Sequence, residues 1–151
     1  FGNQNNKEMV MLKNIPSILS PELLKVIMEM GHGDELVIGD GNFPAASIND
    51  RVIRLDGHGI EAILEALFTL FPLDTYAPNA FLMEKVAGDG VQTPIWDSYE
   101  KIAKAGDAGF KGFEMIERFA FYERSRKAYA VIATGETSLY ANIILKKGVV
   151  A

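Results

Sequence analysis

The sequence predicts an α/β layered domain, and three observations carry that prediction. Short, almost wholly apolar stretches of strand length, such as Glu35–Gly39 and Tyr129–Thr134, alternate with stretches whose apolar residues recur at helical spacing. Two of the helical stretches open on a capping residue followed by proline, Ser20-Pro21 and Thr93-Pro94. The 151 residues, 48% hydrophobic and 23% charged, suit a single domain with one well-filled core.

The elements follow in chain order. Phe1–Val10 is mostly polar and aperiodic. It is expected to be an expression remnant or a disordered overhang, which leaves 11–151 as one domain. From Ser20 a helix runs to Met30, with Glu22 at the positive end of its dipole and Leu23, Leu24, Ile27 and Met30 forming its buried stripe. Gly31 is expected to stop it. Glu35–Gly39 is a buried strand that ends in the loop Asp40-Gly-Asn-Phe-Pro44, and Arg51–Leu55 is a second strand. Gly59–Phe71 is a helix burying Ile60, Ile63, Leu64, Leu67, Phe68 and Phe71. Ala80–Val86 is a strand, and Ile95–Lys104 a helix with Trp96, Tyr99 and Ala103 inward. A glycine-bearing loop, Ala105–Gly112, leads to the strand Phe113–Glu117 and the short helix Phe119–Lys127. Tyr129–Thr134 is the best buried strand, and after a turn at Gly135–Ser138 the last strand is Asn142–Leu145.

Composition narrows the chemistry. The longest apolar run is the six residues Ala128–Ala133, far short of the ~20 that a membrane helix needs. The absence of cysteine removes disulfide frameworks, thiol nucleophiles and thiolate metal sites. It fits a reducing compartment. No basic-then-apolar leader opens the chain, so a cytoplasmic setting is expected. A net charge of −5 argues against a nucleic-acid partner, which needs clustered Lys and Arg. With two histidines 26 positions apart, a zinc site is not expected. No G-x-S-x-G elbow, G-x-G-x-x-G turn or P-loop is present.

Several residues could carry chemistry. His32 sits in Gly31-His-Gly-Asp-Glu35, where two glycines leave the backbone free and the imidazole uncrowded. It reads either as a proton-transfer group or as an exposed connector. His58, just ahead of a helix, reads as a loop or capping residue. Asp40 stands at the carboxyl end of a strand, where ligands of open α/β sheets tend to bind, but Asp-Gly-Asn also suits an Asx turn. Arg118 follows a strand, and with Arg124, Arg126 and Lys127 it forms either an anion patch or a solvated helix face. Tyr140 and Asn142, two apart, would point to the same side of an extended segment.

Taken in order, several fragments resemble a known family. They are Met11-Leu-Lys-Asn-Ile15, Ser20-Pro-Glu-Leu-Leu-Lys25, Glu29-Met-Gly-His-Gly-Asp-Glu35 and Asp40-Gly-Asn-Phe-Pro44. Leu73-Asp-Thr-Tyr-Ala-Pro78, Arg118-Phe-Ala-Phe-Tyr-Glu-Arg124, Thr134-Gly-Glu136 and Tyr140-Ala-Asn-Ile-Ile-Leu-Lys-Lys-Gly148 continue the series. Together they resemble the family of L-fucose mutarotases and ribose pyranases from about Met11 to Gly148, less closely between Val86 and Gly112.

The resemblance implies a three-layer α/β/α sandwich around a mixed sheet. It further implies a self-assembling ring, often a decamer of two stacked pentamers, and an isomerase that interconverts anomers of a free monosaccharide with neither metal nor organic cofactor. Residue by residue, it makes His32 the catalytic histidine and Asp40 the sugar-binding aspartate. Arg118 becomes the basic residue lining the site, and Tyr140 and Asn142 the late Tyr-x-Asn pair. The ribose branch tends to carry histidine in place of Arg118, so L-fucose is the expected sugar and D-ribose the alternative. A non-catalytic sugar-binding ring is the alternative of another class.

The chemistry suits those residues. Mutarotation needs a group that takes the C1 hydroxyl proton, a group that protonates the ring oxygen, and a grip that lets C1–C2 turn. A histidine, with an unperturbed pKa of ~6.5, does both proton transfers near neutral pH. Tyr140 is the expected second partner, because a phenol both donates and accepts. Asp40, Asn142 and Arg118 would hold hydroxyls, and one of Phe43, Trp96 or Tyr122 would pack on the sugar. Asp40 and Tyr140 lie 100 positions apart, so they must converge through the fold or across a subunit boundary.

Overall fold

A computed structural model describes residues 12–151; the stretch expected to be an overhang lies outside the described residues. Six strands and five helices are present among the described residues. In chain order they are α1 (Pro21–Glu29), β1 (Glu35–Gly39), α2 (Ala45–Ile48), β2 (Val52–Leu55), α3 (Ile60–Leu67) and β3 (Ala80–Met83). There follow α4 (Pro94–Gly106), β4 (Glu114–Ile116), α5 (Arg118–Lys127), β5 (Ala130–Thr134) and β6 (Ile143–Lys146).

The strands form one sheet in the order β2-β5-β1-β6-β3-β4. β6 runs antiparallel to both its neighbours, β1 and β3, while the other pairs are parallel. Five strands therefore point one way and β6 the other, which makes the sheet mixed, as expected. Alternate residues leave on opposite faces. Leu36, Ile38, Ile132, Ile143 and Leu82 pack with residues of α1, α3 and α4, whereas Val37, Val131, Ile144 and Phe81 pack with residues of α2 and α5. The result is the three-layer sandwich. Because both faces are covered, central strands read as continuous apolar runs rather than alternating ones. Leu36, Val37 and Ile38 are fully buried, and each such side chain is worth roughly 1.5–3 kcal/mol.

The helix ends depart from the sequence reading in instructive ways. Ser20 caps α1 as expected, its hydroxyl accepting from Leu23 N. The helix stops at Glu29, one residue short of the expected end, because Met30 is already extended at ψ 137°. The left-handed residue is Gly33, at φ +88°, and it turns the chain toward β1. Thr93 occupies the cap position of α4 but makes no capping hydrogen bond. α3 ends at Leu67 rather than Phe71; the Thr69 hydroxyl takes the Ala66 carbonyl, which loosens the final turn ahead of Pro72. The four-residue α2 went unpredicted, being too short for a periodic signal. β3 stops at Met83, three residues short of the expected end, and the chain turns away through Gly88 at φ +85°.

Candidate functional site

The ladder between β1 and β6 fixes where the expected site residues go. Glu35 pairs with Lys146 at one end and Ile38 with Ile143 at the other. His32 lies beyond the first end. Asp40 and Asn142 lie beyond the second. β1 alone spans roughly 16 Å, so the fold does not bring His32 together with Asp40 inside one protomer.

At the amino end of β1, Gly33 N donates to Lys147 O and Lys147 N to Asp34 O, which seats the His32 loop against the end of β6. Gly148 follows; a β-carbon there would run into the Leu73 carbonyl oxygen, so only glycine lets the chain pass so close to the Leu73–Asp74 segment. Asp74 N donates to Lys146 O, and the Asp74 side chain, with the residue only 4% exposed, reaches His32. Its Oδ1 lies 3.0 Å from His32 Nε2 and accepts from Tyr76 N at 3.0 Å. The hydrogen bonds from the Tyr76 amide and from His32 hold the Asp74 carboxyl below the usual aspartate range. An ionised carboxylate only accepts, so the contact places a proton on His32 Nε2 and turns Nδ1 away from Asp74. The imidazole is 46% exposed and faces the Tyr76 ring at 5.5 Å between centroids.

At the carboxyl ends of the parallel strands stands the second cluster. Asn142, buried, turns its Oδ1 onto Asp40 N at 2.7 Å. Asp40 Oδ1 accepts from Asn42 N, so the Asx turn read from Asp-Gly-Asn does form. Burial pushes the Asp40 carboxyl up from its ordinary range, against the opposing pull of amide hydrogen bonds from Asn42, Phe43 and Ala141. The loop after β5 adds Glu136, whose Oε1 accepts from Ile60 N and so supplies the cap that Gly59 cannot. Burial alone would raise the Glu136 carboxyl, but hydrogen bonds from Ile60 and Ser138 outweigh it and hold it low. Tyr99, fully buried, donates to Ala141 O at 2.7 Å and fixes the backbone beside Asn142.

The expected pairing of Tyr140 with Asn142 does not hold. Tyr140 is in a left-handed turn, φ +54°, so the segment is not extended and the two side chains take separate partners. The Tyr140 hydroxyl donates to Asp89 Oδ2 at 2.7 Å and accepts from Val86 N at 3.1 Å. Its carbonyl accepts from Trp96 Nε1. The phenol therefore ties down the loop after β3.

Arg118 opens α5 at the same end of the sheet, exposed, its guanidinium 4.7 Å from the Phe119 ring centre. Three strand spacings separate β4 from β1, about 14 Å. A row of aromatic contacts, Phe119–Tyr122 and Tyr122–Phe43, bridges that distance. Phe43 is itself buried against Phe121 and is not open to a ligand, whereas Tyr122 and Trp96 are half-buried. His58 is an exposed loop residue used through its backbone, as read from the sequence.

Asp74, Tyr76 and Glu136 went unassigned in the sequence. Asp74 is 42 positions from His32, and nothing in a linear pattern announces that contact. Among the described residues, no three His, Asp or Glu side chains converge as metal ligands would, and no helix is long and apolar enough to cross a membrane.

Known proteins resemble the whole of this arrangement. A family model described as the RbsD / FucU transport protein family matches residues 13–150. The fucose mutarotase of Danio rerio is 53% identical over 149 residues, covering 94% of this chain and 96% of that protein. The crystal structure of FucU from Bifidobacterium longum superposes with a TM-score of 0.88 at 59% identity, covering 92% of this chain and all of that one. The fucose mutarotase of Streptococcus pneumoniae, solved in complex with L-fucose, gives 0.86 at 49% identity over 93% of this chain and all of that one. The chain belongs to the RbsD/FucU family.

Proposed function

We propose that this protein is an L-fucose mutarotase whose active site is completed by two protomers, one supplying His32 and the other Asp40, Asn142 and Arg118. The observation that carries the reading is the split itself. The catalytic histidine of the resemblance, with a buried carboxylate behind it, stands at one end of the sheet. The sugar-holding residues stand at the other. Each cluster has the polar groups of half a sugar site. Relatives that carry the fucose mutarotase name over nearly the full chain, and one with L-fucose bound, support the choice of sugar.

In this reading His32 Nδ1 takes the proton from the C1 hydroxyl and passes it to the ring oxygen as the C1–O5 bond opens. The free aldehyde turns about C1–C2. The hydroxyl oxygen then attacks the other face of C1, and the protons return along the same route. Asp74 holds the imidazole in one tautomer and stabilises the imidazolium as it forms. Asp40, Asn142 and Arg118 grip hydroxyls that do not react, and Arg118 also faces the oxygen on which negative charge develops. Tyr140, with its proton committed to Asp89, acts as a brace for this half-site rather than as the second proton donor. A closed ring, decameric in the form that the resemblance implies, and a cytoplasmic setting complete the proposal.

The test is magnetisation exchange between the two anomeric protons of L-fucose at equilibrium, with D-ribose beside it. His32→Ala should lower the exchange rate ~10²–10⁴-fold, the usual worth of positioned proton transfer, and leave the fold intact. Exchange on D-ribose alone would move the protein to the pyranase branch, and sugar binding without rate enhancement would make it a binding ring.

A further inference from the structure

We infer that the exposed ring of Tyr76 is the platform on which the apolar face of the sugar lies beside His32, and that it selects a 6-deoxyhexose over a pentose. This deepens the mutarotase reading and rests on it. Three observations converge on Tyr76. The residue is 82% exposed, an unfavourable placement for a large aromatic whose ring meets only the His32 imidazole. Its backbone is nevertheless fixed, because Tyr76 N donates to the same Asp74 Oδ1 that meets His32 Nε2. The segment around it is tied down as well: Leu73 N to Asp107 Oδ2, Asn79 Nδ2 to Asp74 O, and Lys111 Nζ to Thr75 O. An exposed aromatic on a rigid loop is the arrangement of a recognition surface, since its ordering cost is met before any ligand arrives.

The geometry places the platform next to the proton-transfer group. The Tyr76 and His32 rings stand 5.5 Å apart and are tilted by 57°, so a ligand resting on the tyrosine ring is within reach of the imidazole. An open surface cleft of about 420 Å³ also borders Tyr76, walled by Pro78, Lys111, Phe113 and Glu114; His32 is not part of its wall. One carboxylate oxygen fixes both the His32 imidazole and the Tyr76 backbone. None of the aromatics expected from the sequence shares this place: Phe43, Trp96 and Tyr122 all belong to the other end of the sheet or to the core. L-fucose offers an apolar C–H face and a C6 methyl, and a pentose lacks the methyl. A methyl group in apolar contact is worth roughly fourfold in affinity, and the remaining C–H face adds to it.

The experiment compares wild type with Tyr76→Ala, Tyr76→Phe and His32→Ala. Anomer exchange is measured against concentration on L-fucose and D-ribose, and oligomeric state is checked for each protein. Tyr76→Ala should raise KM for L-fucose about 10-fold, leave kcat within about threefold, and change KM for D-ribose by less than about threefold. Tyr76→Phe, which keeps the face, should stay within about twofold of wild type. An unchanged KM for L-fucose in Tyr76→Ala overturns the proposal. So does an equal loss on both sugars with a change of oligomeric state, which would assign the ring to a subunit contact. A wild-type protein with no exchange on either sugar overturns the mutarotase reading instead. The platform is then judged by saturation transfer from protein to the L-fucose methyl, which Tyr76→Ala must abolish if the proposal stands and which, if unchanged, overturns it.

Discussion

His32 and Asp40 stand off opposite ends of β1, five residues that pair throughout with neighbouring strands. A rigid central strand cannot fold back to close a gap of roughly 16 Å, and a monosaccharide cannot bridge it. A site using both residues therefore draws them from different protomers. His32→Ala and Asp40→Asn should each keep about a tenth of wild-type activity or less alone. Co-assembled at equal amounts, they should recover about a quarter of wild-type activity, because that share of sites combines an intact histidine with an intact aspartate. Mixtures that stay at the level of the single variants would refute the shared site.

Asp74 holds the imidazole from behind. Asp74→Asn keeps the volume but replaces an obligatory acceptor by a group that can also donate, so the His32 tautomer is no longer fixed. Mutarotation should fall roughly 10- to 100-fold, part of the factor that positioned proton transfer supplies. The coupling runs both ways. The Asp74 carboxyl is held low first by the Tyr76 amide and then by His32, so His32→Ala should move it only part of the way back to the ordinary aspartate range. A carboxyl titration by NMR reads this directly, and an unmoved Asp74 would mean that the contact is not made in solution.

How much of this was legible in the sequence depends on the range of the interaction. Ser20, Pro21 and the apolar stripes of α1 and α3 act within a turn or two, and local spacing reveals them. The two-sided burial of β1 and β5 shows as continuous apolar runs. α2 is four residues long, less than the window in which a helical period can be seen. His32, Asp40, Arg118 and Asn142 stand out in the sequence as candidates, but their division between two ends of the sheet does not. That division is set by β6 running antiparallel beside β1, a pairing over about 100 positions. Tyr140 departs from the extended segment that its spacing suggested for a local reason, a positive φ at a non-glycine residue.

Glu136 caps a helix from 76 positions away. Glu136→Ala should unbind both Ile60 N and Ser138 N and cost about 1–2 kcal/mol, the range of a lost cap with a charged acceptor. The carboxyl is held below its ordinary value in the folded protein. Its contribution is thus present above the ordinary glutamate value and is lost as pH falls through the depressed one. Urea unfolding should show the gap between wild type and variant at neutral pH and a smaller gap in acid. A gap that stays constant would separate the cap from the charge.

Asp40 carries the opposite sign. Burial raises its carboxyl, so the folded protein favours the protonated form. The resulting stability is complete below the ordinary aspartate value and is lost as pH rises through the raised one, leaving an ionised, half-buried carboxylate at neutral pH as a cost to the fold. Asp40→Asn removes that charge and keeps an oxygen for Asn42 N. The variant should be at least as stable as wild type at neutral pH, with the advantage fading in acid. It should also lose roughly 10- to 100-fold in kcat/KM on L-fucose, the worth of a charged hydrogen bond to a hydroxyl. Thermal unfolding across pH together with anomer exchange checks both halves. A variant less stable than wild type at neutral pH would show that the carboxylate supports the turn rather than straining it. Stability gained as activity is lost is the signature of a group retained for its ligand.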